Sequence, residues 1–490
     1  MRRTASLPIF MEARGESTLQ EHIYRCIRQS IVEGLVDRSR RLPSTRMLAA
    51  TLGVSRTTTL LALEQLRAEG YIVARRGSGT FLAPRLPEGP PASVIALPQP
   101  VMRPPFSRRG SQMARVMAPD RRAPATAPRA FRLGTPALDL FPNRVWSRLT
   151  RQAMSASKPA QRDYASLAGW RPLREAIAEM LLSRGTRCDA SQVQIVAGAQ
   201  RGLDQIFHLL LDPGDSAWVE EPGYPGARAA LIAAGAIAVP VPVDSQGMAV
   251  DEARAARLAY VTPSCQFPLG RSMSLERRLK LLQWARRSEA WIVEDDYDCD
   301  IRHQSQPLPC LHALDPDGRV IYLGTFSKSV FPALRLGFLV VPRDIEAGFI
   351  TSRLATDLHP PLLEQKVLAA FIAGGHYQRH VRRMQSAYAE RLDALRSAIE
   401  RSGAPLRLRP VHAGMHAVVE VDGVTAERLH AEAAEQGIEC MPLSAYYSCS
   451  ASTLAGKDVN ALLLGFGAVT PAAIRAGVGR LARLIERMKR

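Results

Sequence analysis

The chain has 490 residues, 46% of them hydrophobic and 22% charged, with a formal net charge of +18. At about 100–200 residues per domain this length predicts two to four domains, and the composition excludes both a single small module and a disordered chain. No stretch reaches the ~18 consecutive apolar residues of a membrane span.

The first residues, MRRTASLPIFMEARGES, lack the ~7–15 apolar residues of a secretory signal, so a cytoplasmic protein with no membrane partner is expected. The seven cysteines (26, 188, 265, 299, 310, 440, 449) form no CxxC pair. An odd, scattered set predicts reduced thiols and neither a disulfide frame nor a metal site. The charge is uneven. Residues 1–130 carry 21 Arg, no Lys and 9 acidic residues, while the remaining 360 carry 43 basic against 37 acidic ones. A basic end on a near-balanced body suits an anionic partner, nucleic acid first, or an arginine-rich solvated surface.

Residues 16–82 predict three helices and a hairpin. Ile23, Ile27 and Ile31 stripe a first helix over 19–33. Ser44 caps a second over 45–52. After a tight turn at Gly53-Val54, Ser55 caps a third, which ends near Glu69 with Gly70 as its stop. Thr59, Ala62, Leu63 and Leu66 recur at helical spacing as its buried face. Residues 71–73 and 80–82 are short strands around the glycine-rich turn Arg75-Arg76-Gly77-Ser78-Gly79. Helix, turn, helix and basic hairpin make a winged helix-turn-helix plan. Ser55, Arg56, Thr57 and Thr58 lie off the buried face. Hydroxyls and helix amides hold phosphates, and Arg reads guanine edges. Arg46 is placed to hold the DNA backbone, and Arg75, Arg76, Gly77 and Gly79 to enter the minor groove. A capped surface helix, or one that contacts protein, fits the same spacing.

Residues 83–130 hold 11 prolines and predict a semi-rigid or disordered linker. From 131 to 490, apolar strands (193–196, 218–219, 259–261, 291–293, 320–323) alternate with helical stretches. This predicts an α/β fold with a mostly parallel sheet, whose ligands lie outside the carboxyl ends of the strands. Gly198-Ala199-Gln200 at one end is a possible phosphate seat. Tyr224 follows the next strand, and the acidic run Glu294-Asp295-Asp296-Tyr297-Asp298 follows another. Gly324-Thr325-Phe326-Ser327-Lys328 and Arg335 follow the last. The chain has six lysines, and Lys328 alone follows directly from a buried strand. A lysine in a cleft forms a Schiff base with an aldehyde, and a carboxylate keeps a pyridine nitrogen protonated. The acidic run also fits a divalent metal or a solvated turn, and Lys328 a surface position.

Two sets of motifs carry a family resemblance. Leu42-Pro43-Ser44-Thr45-Arg46, Leu52-Gly53-Val54-Ser55-Arg56-Thr57-Thr58 and Gly77-Ser78-Gly79-Thr80-Phe81 resemble the GntR-type winged helix of bacterial repressors and activators. Glu221-Pro222-Gly223-Tyr224, Thr262-Pro263-Ser264, the acidic run and the Lys328 segment resemble class I aminotransferases of fold type I. Together the chain is similar to MocR-type regulators. The resemblance implies that the positions of Ser44, Arg46, Ser55, Arg56, Thr57, Thr58, Gly77 and Gly79 serve a double-stranded DNA operator. It implies pyridoxal 5′-phosphate as a Schiff base on Lys328, with Asp295 at the ring nitrogen, Tyr297 at the ring hydroxyl and Tyr224 over the ring. Ala199, Gln200, Ser327 and Arg335 then surround the phosphate. It also implies a smaller C-terminal α+β subdomain (about 365–490) and a head-to-tail homodimer with each head over the partner's body. The small-molecule effector would be the cofactor itself or an amine, sensed through its aldimine. The alternative is an active aminotransferase with a regulatory head, in which Lys328 is catalytic. Three departures stand out: Cys265 where the family has His, Asp163-Tyr164-Ala165 where Tyr-Gly is common, and Leu462-Leu463-Leu464-Gly465-Phe466-Gly467 without the arginine that grips a substrate carboxylate. Without that fork an α-amino acid lacks its bidentate partner, which argues against both transamination and GABA-like effectors.

Overall fold

A stripe of isoleucines organises the N-terminal unit. In the computed structural model, residues 18–36, 41–75, 78–87, 106–116, 129–157, 163–250, 254–298, 300–301, 308–448 and 459–489 are described. They divide into two units, Met1–Pro105 and Phe106–Arg490. The first contains α1 (Leu19–Val32), α2 (Thr45–Leu52), α3 (Arg56–Ala68) and a hairpin of β1 (Ile72–Arg75) and β2 (Gly79–Leu82). Ile23, Ile27 and Ile31 of α1 pack with Leu48 of α2 and Ala62 and Leu66 of α3, and Ile72 and Leu82 close the same core from the hairpin. Each such side chain contributes about 1.5–3 kcal/mol on burial. Ser44 and Ser55 cap α2 and α3 by accepting from Met47 N at 3.3 Å and Thr58 N at 3.0 Å. Gly53, at φ +65°, ends α2 in the left-handed conformation that a side chain resists.

The second unit opens with α4 (Arg108–Val116), inside the segment expected to be linker. The prolines stop at Pro105 and resume at Pro119. The proline-free window between them keeps its donors, Ser107 Oγ takes Gly110 N at 3.0 Å, and a helix forms that packs against α8. After α5 (Asn143–Ser155) and α6 (Arg171–Leu182), strands and helices alternate through β3 (Val193–Val196), α7 (Ala199–Leu210), β4 (Ser216–Glu221), α8 (Pro225–Ala234), β5 (Ile237–Asp244), β6 (Gly247–Met248), β7 (Leu258–Val261), α9 (Leu275–Arg287), β8 (Trp291–Asp295), α10 (Leu311–Leu314), β9 (Val320–Thr325) and β10 (Gly337–Val340). They build one eight-stranded sheet in the order β3-β10-β9-β8-β7-β4-β5-β6. From β9 to β5 the pairings are parallel. β10 runs antiparallel to both its neighbours and β6 to β5. β3, β7 and β10 are buried along their whole length, as a sheet covered on both faces requires.

The helices α11 (Glu346–Ser352) and α12 (Leu362–Ala373) follow. The expected start of the small subdomain, near residue 365, falls inside α12. That helix buries Val367, Leu368 and Phe371 in the core of the large sheet, against α5 and α6. α13 (His376–Ser402) leads from that core, which holds Tyr377, into the small subdomain, whose core takes Met384 and Tyr388; β11 (Leu406–Leu408), β12 (His416–Val421), α14 (Ala426–Glu435), β13 (Met441–Pro442), β14 (Ala461–Gly465) and α15 (Pro471–Lys489) follow. Its antiparallel sheet has the order β11-β12-β14-β13. Phe131 and Ala137, from the start of the body, pack into its core.

One buried guanidinium pins the loops beneath the sheet edge. Arg278 is 1% exposed. It donates to Met273 O, Pro309 O and Pro263 O at 3.2, 3.1 and 2.9 Å and stands 3.8 Å from Glu294. Removing one partner of a buried pair costs about 3–5 kcal/mol. Arg278→Met is expected to lower the stability of the chain by that order in urea denaturation. Adding Glu294→Gln should restore part of the loss, because no orphaned charge then remains.

Candidate functional site

The head presents its polar residues on the faces that the core leaves free. Arg46, Arg56 and Thr57 are exposed and Thr58 is half-buried. The hydroxyls of Ser44 and Ser55 are engaged as helix caps, and Ser55 Oγ lies 2.7 Å from Thr58 Oγ1. Gly79 opens β2 at φ +105°, and a Cβ there would run into the Arg41 guanidinium. Leu42 N donates to Thr80 O at 2.8 Å, which ties the α2 approach to the wing. Arg41 is thus a wing-side cation that sequence spacing missed. Arg75 lies over the Phe81 ring at 5.3 Å. Gly77 and Arg76 lie outside the described residues. Leu60 and Leu61 are 44% and 42% exposed on the outward side of α3.

In the body, a cavity of about 350 Å³ opens at the carboxyl ends of β3, β4, β7, β8 and β9. It is lined by all eight expected residues: Ala199, Gln200, Tyr224, Asp295, Tyr297, Ser327, Lys328 and Arg335. Parallel strands bring them together, because each strand ends on the same edge. Lys328 Nζ donates to Gly134 O at 2.9 Å. Asp295, at the end of β8, accepts from Tyr260 OH of β7 at 2.7 Å. Tyr297 OH donates to Cys265 Sγ at 3.6 Å. On the phosphate side, Arg335 Nη2 donates to Ala197 O at 3.1 Å, beside the first turn of α7. Gly198 precedes that turn at φ +86°, and a Cβ on it would stand 3.1 Å from the Arg335 guanidinium. Gln200 Nε2 donates to Gly226 O at 2.8 Å, and Tyr224 OH reaches Gln200 Oε1 at 3.3 Å. The first turns of α7 and α8 are held together in this way.

Burial governs the electrostatics. It pushes Asp295 up to about 7, with Asp296 adding to the rise and the Tyr260 hydrogen bond and Lys328 opposing it. It pushes Asp298 up to about 7 as well, against the pull of Lys328. The same desolvation lowers Lys328 below the ordinary lysine value, and Asp298 and Asp295 limit the fall. Tyr297 is held well above its usual range by burial and by Cys265. The result is an amine that gives up its proton more readily than a surface lysine, facing carboxylates that ionise less readily than usual.

Sequence reasoning missed Gly134, Tyr260 and His416. Gly134 and His416 line the cavity from the entry segment of the body and from the small subdomain, far from the motifs in sequence. Tyr260 carried a signal, since a tyrosine in a fully buried strand needs a partner for its hydroxyl. Where a carboxylate-gripping arginine was looked for, Leu463 of β14 is fully buried and packs with Val418, Leu443 and Tyr446, against Leu133 and Phe267 of the cavity wall.

Comparison with known proteins follows this geometry. Residues 19–82 match the family of bacterial regulatory proteins, gntR family. Residues 132–456 match aminotransferase class I and II. The chain is 39% identical to a probable rhizopine catabolism regulatory protein MocR of Rhizobium meliloti, over 96% of this chain and 95% of that one. It is 33% identical to the HTH-type transcriptional regulator TauR of Rhodobacter capsulatus, over 97% and 98%. The body resembles the crystal structure of LysN, an α-aminoadipate aminotransferase from Thermus thermophilus complexed with N-(5′-phosphopyridoxyl)-L-leucine. The TM-score is 0.68 at 26% identity, covering 78% of this chain and 97% of that one. The cofactor of this fold is pyridoxal 5′-phosphate, and the cavity fits it. Asp295 Oδ1 is a buried oxygen with no hydrogen-bond partner among the described residues, as a ring N–H requires. The α7 amides and Arg335 offer a seat for the phosphate, and Lys328 offers the amine. The chain therefore belongs to the MocR-type transcriptional regulators, in which a gntR-family DNA-binding head is carried by a class I and II aminotransferase body.

Proposed function

We propose that this regulator is a cytoplasmic head-to-tail homodimer that reports pyridoxal 5′-phosphate, or an amine that reacts with it, to an operator bound by its two heads. One observation carries the sensing half: Lys328 Nζ stands in a cavity with Asp295 and the α7 amides, on a chain that also exposes Arg56 and Thr57 on a capped helix.

When bound, pyridoxal phosphate supplies an aldehyde that exchanges between the lysine and other primary amines, and a ring that withdraws electrons. The chain's residues do the rest. Asp295, held by Tyr260, would take the ring N–H. Tyr224 and Gln200 close one side of the cavity, and the α7 amides with Arg335 would fix the phosphate. Gly134 O orients the lysine amine through its 2.9 Å hydrogen bond. In the head, Arg56 and Thr57 would reach base edges in the major groove, while Ser44, Arg46, Ser55 and Thr58 hold phosphates and Gly79 lets the wing approach the backbone. A dimer reading two half-sites sets the operator as a repeat of defined spacing. Ligand control then requires that the effector bind one arrangement of the heads more tightly than another.

Two outcomes check this reading. The full chain should turn yellow with pyridoxal phosphate, and Lys328→Ala should stay colourless. The wild-type rate of uptake should rise with pH, because the attacking nitrogen must lose its proton, and level off below the ordinary lysine value of 10.5, because burial lowers this one. Arg56→Ala should weaken operator binding about 5- to 150-fold, the ~1–3 kcal/mol of a base-reading arginine, and erase the footprint while the visible band persists. An unchanged footprint overturns the assignment of Arg56.

A further inference from the structure

The cavity holds a second group of polar atoms, beyond the residues assigned to the cofactor. Asp298 is 3% exposed and His416 is 5% exposed, and both line the wall. Asp298 Oδ1 has no hydrogen-bond partner among the described residues. His416 Nε2 stands 3.0 Å from Pro268 O. A carbonyl accepts, so Nε2 carries the proton and Nδ1 is left as an acceptor. Gly414 lies between the two side chains at φ +86°. A Cβ on it would stand 3.1 Å from Asp298 Oδ2, 3.2 Å from Cys265 Sγ and 3.8 Å from His416 Nδ1. The missing side chain therefore lets these atoms approach one another. Burial also pushes His416 down to about 4, so its ring is neutral near pH 7.

Asp298 Oδ1 is thus buried without a donor among the described residues, and His416, which lines the same cavity, offers Nδ1 as a second acceptor. Leaving such an acceptor unmet costs about 1–3 kcal/mol, so the subsite favours a ligand that brings donors. Once ionised, Asp298 also repels a ligand that brings a carboxylate. Among the described residues lining the cavity, the cations are Lys328 and Arg335, which the cofactor would occupy. Leu463 adds an apolar backing behind Phe267 and Leu133.

We infer that Asp298 and His416 form an effector subsite that selects primary amines bearing a hydrogen-bond donor, a hydroxyl or a second ammonium, at the end remote from the reacting amine, and rejects amino acids. The inference rests on the proposed binding of pyridoxal phosphate to Lys328 and adds the choice of effector. It also gives Asp298 a role other than that of counter-ion to Lys328.

The test uses the full chain loaded with pyridoxal phosphate and four three-carbon amines: propylamine, 3-amino-1-propanol, 1,3-diaminopropane and β-alanine, with their two- and four-carbon homologues. Half-saturation is read from the shift of the visible band and, separately, from the change in operator binding. At the best-fitting length, the amino alcohol or the diamine should bind at least about tenfold more tightly than the plain amine, the worth of a charge-assisted hydrogen bond. β-Alanine should bind most weakly. The two arms also separate hydroxyl from ammonium. In Asp298→Asn and in His416→Phe, that preference, taken as a ratio within each variant, should collapse toward one. A counter-ion role alone would alter cofactor affinity and leave the ratio at its wild-type value, which overturns the inference. Tightest binding by β-alanine also overturns it. A yellow protein with the wrong selectivity sinks the subsite alone. A protein that stays colourless with added cofactor sinks the reading beneath it as well.

Discussion

The body depends on keeping one amine deprotonatable among carboxylates. A lysine beside two buried aspartates would ordinarily settle into a fixed ion pair and lose its nucleophilicity. Here the competing effects are balanced. Desolvation disfavours the ammonium, while Asp298 and Asp295 favour it. The same desolvation weakens the carboxylates, each of which is raised toward neutrality. The sheet makes this balance possible. β8 delivers the acids and β9 the lysine at the same edge, as their parallel register pairs Asp295 with Leu323. The neighbouring strand β7 supplies Tyr260, whose hydroxyl holds one oxygen of Asp295. Asp296 is not part of the cavity wall, and its Oδ2 accepts from Tyr322 OH at 2.6 Å, so adjacent acids serve different faces.

The same edge explains which parts of the site could be read in the sequence. Lys328, Asp295, Tyr297 and Tyr224 follow directly from strands, and strand ends are legible as short apolar runs broken by polar residues. Ala199 and Gln200 open a helix after a glycine, which is also a local signal. Gly134 and His416 come from other layers. Gly134 meets Lys328 across 194 residues, and His416 belongs to a sheet with its own core. Neither has a local pattern that distinguishes it from an ordinary turn glycine or an ordinary strand histidine. Arg41 was hidden for a related reason: it reaches the wing because Gly79 has no side chain, and the cost of adding one is visible in three dimensions alone. The side of the boundary to which α12 belongs was not legible because α12 is apolar around much of its surface. Such a helix belongs to whichever core surrounds it, and its sequence does not say which.

Position and chemistry also part at two places where this chain departs from its relatives' pattern. Cys265 takes the Tyr297 hydroxyl as a weak sulfur acceptor, which orients the tyrosine where the resemblance led one to expect a histidine. At Leu463 the change goes further. A buried arginine there would need carboxylate or carbonyl partners, and its neighbours Val418, Leu443 and Tyr446 pack as an apolar cluster around leucine. The neighbours therefore suit leucine at this point of the wall and offer nothing to pair a guanidinium.

What joins the cavity to the linker is a short chain of packed elements. Tyr224 precedes α8 and reaches Gln200 at the start of α7. Gln200 in turn grips Gly226 in the first turn of α8. Gly226 accommodates this only because it lacks a Cβ, which would collide with Tyr224 and Gln200. The other end of α8 stops at Gly235, where Arg109 of α4 lies within 3.5 Å of the space a Cβ would fill. α4 is the first helix after the head unit. Tyr224 thus adjoins the beginning of α8, and α4 packs on the same helix. Closely packed helices move as units and do not deform continuously. A change at the cavity rim thus has a physical route to the segment that leads to the head, built from contacts that two glycines permit.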